Sequence, residues 1–167
     1  AVGNLLSAAE NGRDHGALGY LNTDWGDLGH WQVLPISYLG FAVGAAYSWA
    51  LDANRDMDIP AVVSIHAFQD PTGNMGRVAY DLGNVYQAPG VLIHNASLLF
   101  WVLQLPLGRT RVPEGQQADY AGTRAAIDAA MAPLSAARMQ RPDAALVVEE
   151  YENTARLMRH ACRRGQW

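Results

Sequence analysis

Only one short stretch of this chain reads as a buried strand, and a strand cannot stand alone. Ala17-Leu18-Gly19-Tyr20-Leu21-Asn22-Thr23 is a mostly apolar run of strand length. Elsewhere the apolar residues recur at helical spacing. A lone buried strand needs strand neighbours, which the rest of the chain barely offers. The expected fold class is therefore mainly α with one or two short strands, and the unpaired edge argues for a partner segment outside this sequence. Pairing of two copies would be the other way to cover it.

The helical pattern is readable piece by piece. Val2, Leu5, Leu6 and Ala9 share one side of a helix over residues 1–16, which Gly12 weakens and Gly16 stops. That helix, its glycine stop and the strand make the tail of an αβ unit. The chain thus opens directly in a helix, as a fragment of a longer protein would. A helix running from Ser37 to about Leu51 follows, with Gly40 and Gly44 placed for close helix approach. Asp52 to Pro60 is a polar connector, in which Asp56 or Asp58 caps a helix over Ile59 to Phe68. Asp70-Pro71 caps and starts the next, where Met75, Val78, Ala79, Leu82, Val85 and Tyr86 fall at helical spacing. Pro89-Gly90 breaks it, and Asn95 to Leu105 is a short apolar helix. Two longer helices close the chain. One runs from Tyr120 to Gln140, kinked or split by Pro133, and one from Pro142 to about Arg163. The organisation expected is 1–50, 51–105, a linker-like stretch at 106–118, and C-terminal helices over 119–167.

Charge and composition remove several classes of function. Twelve Lys+Arg against sixteen Asp+Glu leave a net charge of −4, so no global basic field draws nucleic acid or anionic lipid. Half the residues are hydrophobic and 17% are charged, which suits a packed core. The single cysteine, Cys162, excludes an internal disulfide framework and is compatible with a reducing compartment. Its neighbours Arg159, Arg163 and Arg164 would lower its thiol pKa, yet no site surrounds it. Apolar stretches are interrupted by Ser, Gly, His or Asn before the span a membrane helix needs, and no basic segment precedes an apolar run. No membrane association is expected; the compartment stays open, with the cytoplasm favoured.

Chemistry concentrates after the strand, in Thr23-Asp24-Trp25-Gly26-Asp27-Leu28-Gly29-His30-Trp31-Gln32. Two carboxylates, two indoles, an imidazole and an amide occupy ten residues. This mixture suits a sugar: rings stack on the C–H face of a pyranose while carboxylates accept from its hydroxyls. The competing reading is a packed loop whose Asp residues cap turns. A metal held by Asp24, Asp27 and His30 is the weaker alternative to a hydrogen-bonding histidine. Asp52 to Asp58 alternates oxygen ligands but has Met57 and Val63 where a calcium loop needs Gly and Glu. His15, His30, His66, His94 and His160 form no HExxH spacing, and neither a Gly-x-Ser-x-Gly elbow nor a Walker A loop occurs. No cofactor and no metal are therefore expected.

The block from Tyr20 to Gln32 resembles a late barrel strand of the bacterial family 20 glycoside hydrolases, the β-N-acetylhexosaminidases. The likeness continues through Leu34-Pro35-Ile36-Ser37-Tyr38, Gly40-Phe41-Ala42, Ser48-Trp49 and Asn54-Arg55-Asp56, and fades after about residue 105. Thr-Asp-Trp-Gly-Asp is its specific part. The resemblance implies the C-terminal end of a (β/α)₈ barrel followed by a helical C-terminal region; 167 residues are too few for a whole barrel of about 250. It implies that Trp25 forms part of a hydrophobic wall against the sugar. Asp27 would stand where the family carries Glu and bond distal hydroxyls, a shorter side chain with a different reach. Asp24, His30 and Trp31 would shape the subsite. The family cleaves terminal β-linked N-acetylhexosamine by substrate-assisted catalysis, with an adjacent Asp-Glu pair on an earlier strand. This chain contains no Asp-Glu dipeptide, and Glu149-Glu150 sits mid-helix. The resemblance therefore implies no catalytic residue here, an N-terminal remainder that carries the pair, and an N-acetylhexosamine-containing glycan as partner. A non-catalytic helical interaction or carbohydrate-binding module is the alternative.

Overall fold

The computed structural model describes residues 2–26, 29–94 and 96–167. Among them the chain forms seven α-helices: α1 Val2–Asp14, α2 Leu34–Asn54, α3 Ile59–His66, α4 Asn74–Asn84, α5 Leu98–Gln104, α6 Tyr120–Met131 and α7 Ala144–Gly165. Short 3₁₀ turns extend α4 over Val85–Gln87 and α6 over Ala132–Ala136, the latter where Pro133 removes a donor. The helix following residue 94 begins at Leu98, later than its apolar pattern suggests.

The expected strand and barrel end do not form. Among the described residues there is no sheet, only an isolated bridge between Ile93 and Ala96. Residues 18–26 run as irregular backbone. The reason is the one the sequence raises: extended backbone becomes a strand only against another edge, and the helices present none. Leu18 and Leu21 are left almost wholly exposed, at 107% and 85%.

The helix starts and stops follow local chemistry. Gly16 takes a left-handed φ of 71°, and the Ala17 amide donates back to the Gly12 carbonyl at 2.8 Å, closing α1. Asp58 caps α3 by accepting from the Ala61 amide at 3.1 Å. Asp119 does the same for α6 through the Gly122 amide at 2.7 Å. The Asp70 carboxylate accepts from the Met75 amide in the first turn of α4, while Pro71 lies in the turn before the helix.

One continuous core links these helices. Val43, Tyr47 and Leu51 of α2, Val63 of α3, Met75, Val78 and Leu82 of α4, Leu98 of α5, Ile127 of α6 and Val147 and Tyr151 of α7 are all buried together. Helix α7 packs on both α5 and α6, so the helices on either side of 106–118 share this core. Arginines that read as a helix-end complement reinforce it. Arg164 donates to the Val102 and Leu105 carbonyls at the end of α5, and Arg159 to Asp128 of α6 at 2.7 Å. Buried Tyr151 donates its hydroxyl to the Pro35 carbonyl at 3.0 Å, tying α7 to α2, and burial pushes its phenol upward.

Two sequence expectations are corrected by the packing. The closest helix approach lies at Gly76 of α4, where a Cβ would overlap the Pro60 carbonyl and come within 2.6 Å of Ser64 Oγ. Gly44 instead makes room for Asn22, and Gly40 faces open space. Helix α2 is the one helix, among the described residues, long and apolar enough to cross a membrane, so its Ser and Gly residues do not interrupt it as expected. Here it leaves helical geometry at Ala50 and buries one face in the core.

Candidate functional site

The loop that carries the aromatic and acidic residues is held in place from both ends. Tyr20 donates its hydroxyl to the Leu5 carbonyl of α1 at 3.4 Å, and the Asn22 amide donates to the Gly40 carbonyl of α2 at 3.1 Å. Beyond them Asp24 gathers three partners. Ser37 on the first turn of α2 donates to Oδ2 at 2.6 Å, Gln32 donates to Oδ1 at 3.2 Å, and His30 Nε2 lies 3.1 Å from Oδ2. Donation by His30 requires the Nε2–H tautomer, which leaves the Gln32 amide, also 3.2 Å from that nitrogen, to serve Asp24 and the Trp25 carbonyl. Partial burial raises the Asp24 carboxyl, but the hydrogen bonds from Ser37, His30 and Gln32 outweigh it and hold it below its ordinary range. Asp24 is thus an ionised hub that staples the loop to α2.

The turn itself depends on glycine. Gly29 adopts φ 93°, and a Cβ on Gly26 would sit 2.5 Å from the His30 side chain. This fold-back brings His30 and Gln32 to Asp24.

The two indoles are separated by the same geometry. Trp25 donates its Nε1–H to Thr23 Oγ1 at 3.0 Å, and the residue remains 78% exposed. Trp31 meets Phe100 of α5 edge-on, with centroids 6.1 Å apart. Phe100 in turn packs edge-on against Trp101, whose ring lies under Arg111. Of the residues singled out in the sequence, the structure brings Asp24 and His30 together, presents Trp25 to solvent and commits Trp31 to an aromatic contact. Asp27 lies outside the described residues.

Beside the hub opens a cleft of about 830 Å³, between α1, the 20–24 segment, α2 and α4. Asp24, Gln32 and Ser37 of the hub line it, as do Tyr20 and Asn22. Tyr80 and Asn84 of α4, with Tyr86 just beyond it, line the same cleft. These three are not evident from sequence, although Tyr80 and Asn84 are four residues apart on the polar face of an amphipathic helix. Nothing in that spacing says that this face shares a cleft with Asp24.

The remaining titratable and ligating groups are elsewhere. No group of three His, Cys, Asp or Glu residues able to hold a metal occurs among the described residues. Cys162 is buried in α7, and burial raises its thiol against the lowering effect of Arg124 and Arg163, so the surrounding arginines do not activate it as their sequence proximity suggests. No family model, no curated protein and no solved structure matches the chain.

Proposed function

We propose that this chain supplies a saccharide-binding subsite to a glycoside hydrolase that removes terminal β-linked N-acetylhexosamine. The observation that carries the reading is the pairing of a stapled carboxylate with an unpacked indole. Asp24 is fixed by Ser37, Gln32 and His30, while the adjacent Trp25 stays 78% exposed. An exposed indole held by a hydrogen bond is a preorganised apolar platform of the kind a pyranose face stacks on. The Thr23-Asp24-Trp25-Gly26-Asp27 resemblance supports the same ligand class.

Binding, without bond cleavage, is the part assigned to these residues. Glycoside cleavage uses two carboxyl groups about 5–9.5 Å apart, or, where the substrate's own acetamido group is the nucleophile, an acid with an adjacent orienting carboxylate. Among the described residues Asp24 is the only carboxylate lining the cleft, and its oxygens already accept three hydrogen bonds. The acid and the orienting carboxylate are assigned to a segment outside this sequence, since the chain has no Asp-Glu pair.

Titration of the chain with N-acetylglucosamine, read by isothermal titration calorimetry, tests the proposal. Saturable binding that disappears in Trp25→Ala, with the helical circular dichroism unchanged, is the expected result. Equal binding by wild type and variant, or no binding by either, overturns it.

A further inference from the structure

We propose that the cleft running from Asp24 to α4 accommodates a neutral oligosaccharide, so that the site takes a chain of sugar units and not one terminal sugar alone. The inference rests on the saccharide reading above and extends it to residues that reading does not use. A cleft of about 830 Å³ lies near the top of the range for small-molecule sites, about 300–1,000 Å³, and exceeds what one pyranose ring fills. Its lining discriminates by charge. No Lys or Arg lines it, and its one charged side chain among the described residues is Asp24, which already has its donors. A sulfated or carboxylated chain would find no cation there and would face a carboxylate. A neutral polyol finds phenol, amide and hydroxyl groups instead.

Tyr80 and Tyr86 supply the second contact. The hydroxyls of Tyr80 and Tyr86 make no hydrogen bond to another described side chain or carbonyl, so both are available to a ligand, and their rings offer further stacking area. A sugar seated at the Asp24 end of the cleft, whose lining stops one residue short of Trp25, is continued by a second unit lying toward Tyr80 and Tyr86. Gly83, on α4 between Tyr80 and the 3₁₀ turn that carries Tyr86, lines the cleft too, and a Cβ built there meets nothing within 4 Å.

That open position provides the test. Gly83→Leu adds an apolar side chain at a cleft-lining position whose Cβ has open space around it. N-Acetylglucosamine and its β-1,4-linked trimer are titrated separately, and circular dichroism checks folding. The trimer is expected to bind wild type at least tenfold more tightly than the monosaccharide. Gly83→Leu should erase that gain and leave monosaccharide binding within twofold. Tyr80→Ala, which empties the wall instead of filling the cleft, should reduce the trimer's advantage in the same way. Equal affinity for monosaccharide and trimer in wild type overturns the inference while leaving the saccharide reading intact. So does trimer binding that both variants preserve. Failure of both sugars to bind wild type removes the saccharide reading and this inference together.

Discussion

The Asp70 carboxylate accepts the backbone N–H of Arg138, 68 residues later in the chain, at 2.9 Å. The same fully buried side chain accepts from the Thr72 hydroxyl at 2.7 Å and from the Thr72 and Met75 amides at 3.1 and 2.8 Å. It therefore joins the turn after α3, the start of α4 and the segment after α6. Replacing it with Ala leaves buried donors without an acceptor, each costing about 1–3 kcal/mol. Asp70→Ala is expected to lower stability by about 3 kcal/mol or more, roughly 10 °C in Tm for a chain of this size. Asp70→Asn should be nearly as damaging, because one of its two oxygens becomes a donor facing donors. Thermal unfolding of both variants checks this; a change below about 1 kcal/mol would show that water or backbone shifts replace the carboxylate.

The same residue predicts an acid limit. Burial raises the Asp70 carboxyl, but hydrogen bonds from Thr72, Met75 and Arg138 outweigh it and hold it below its ordinary value. A carboxyl depressed in the folded state contributes stability that is present above the unfolded value of about 3.9 and is lost as pH falls through the folded one. Asp24 has the same sign. Denaturant midpoints measured between pH 7 and pH 3 should stay flat to about pH 5 and then fall. The fall should be shallower in Asp70→Asn. An identical acid slope in wild type and variant would exclude Asp70 as its source.

Two glycines of α4 should respond oppositely to the same substitution. At Gly76 a Cβ would collide with the Pro60 backbone, which cannot rotate away, so Gly76→Ala should cost about 2–3 kcal/mol. At Gly83 the Cβ enters open space within a helix, so Gly83→Ala should gain about 0.5–1 kcal/mol from helix propensity and a smaller unfolded-state entropy. Chemical denaturation of the pair distinguishes them, and a shift of the same sign in both would contradict the described approach of α3 to α4.

The Asp24 hub should control a local property and leave global stability nearly untouched. The side chain keeps 27% exposure and its partners are all close to the loop. Asp24→Ala is expected to shift the unfolding free energy by about 1 kcal/mol or less. Hydrogen exchange of the amides from residue 24 to residue 33 should speed up at least tenfold, with α4 and α7 unaffected. Unchanged exchange in the loop would mean that the glycine turn, and not the carboxylate, holds it.

Much of this architecture was legible along the chain because helices are made by near neighbours. Apolar residues three and four apart, Asp58 before Ala61, Gly16 after α1 and Pro133 after Met131 act within one or two turns, and each marks its element where the structure has it. The sugar-like composition of residues 23–32 is also local, being simply which side chains follow one another. The strand at residues 17–23 was not decidable in that way. Its apolar run has the right residues, but a strand exists only through hydrogen bonds to a partner distant in sequence, and no described segment is placed to give them. Packing alone brings Arg138 to Asp70, sets Trp31 against Phe100, and places Tyr80 and Tyr86 in one cleft with Asp24. Those relationships join residues tens of positions apart, and no spacing rule links them; they follow from how the helices pack their apolar residues into one core.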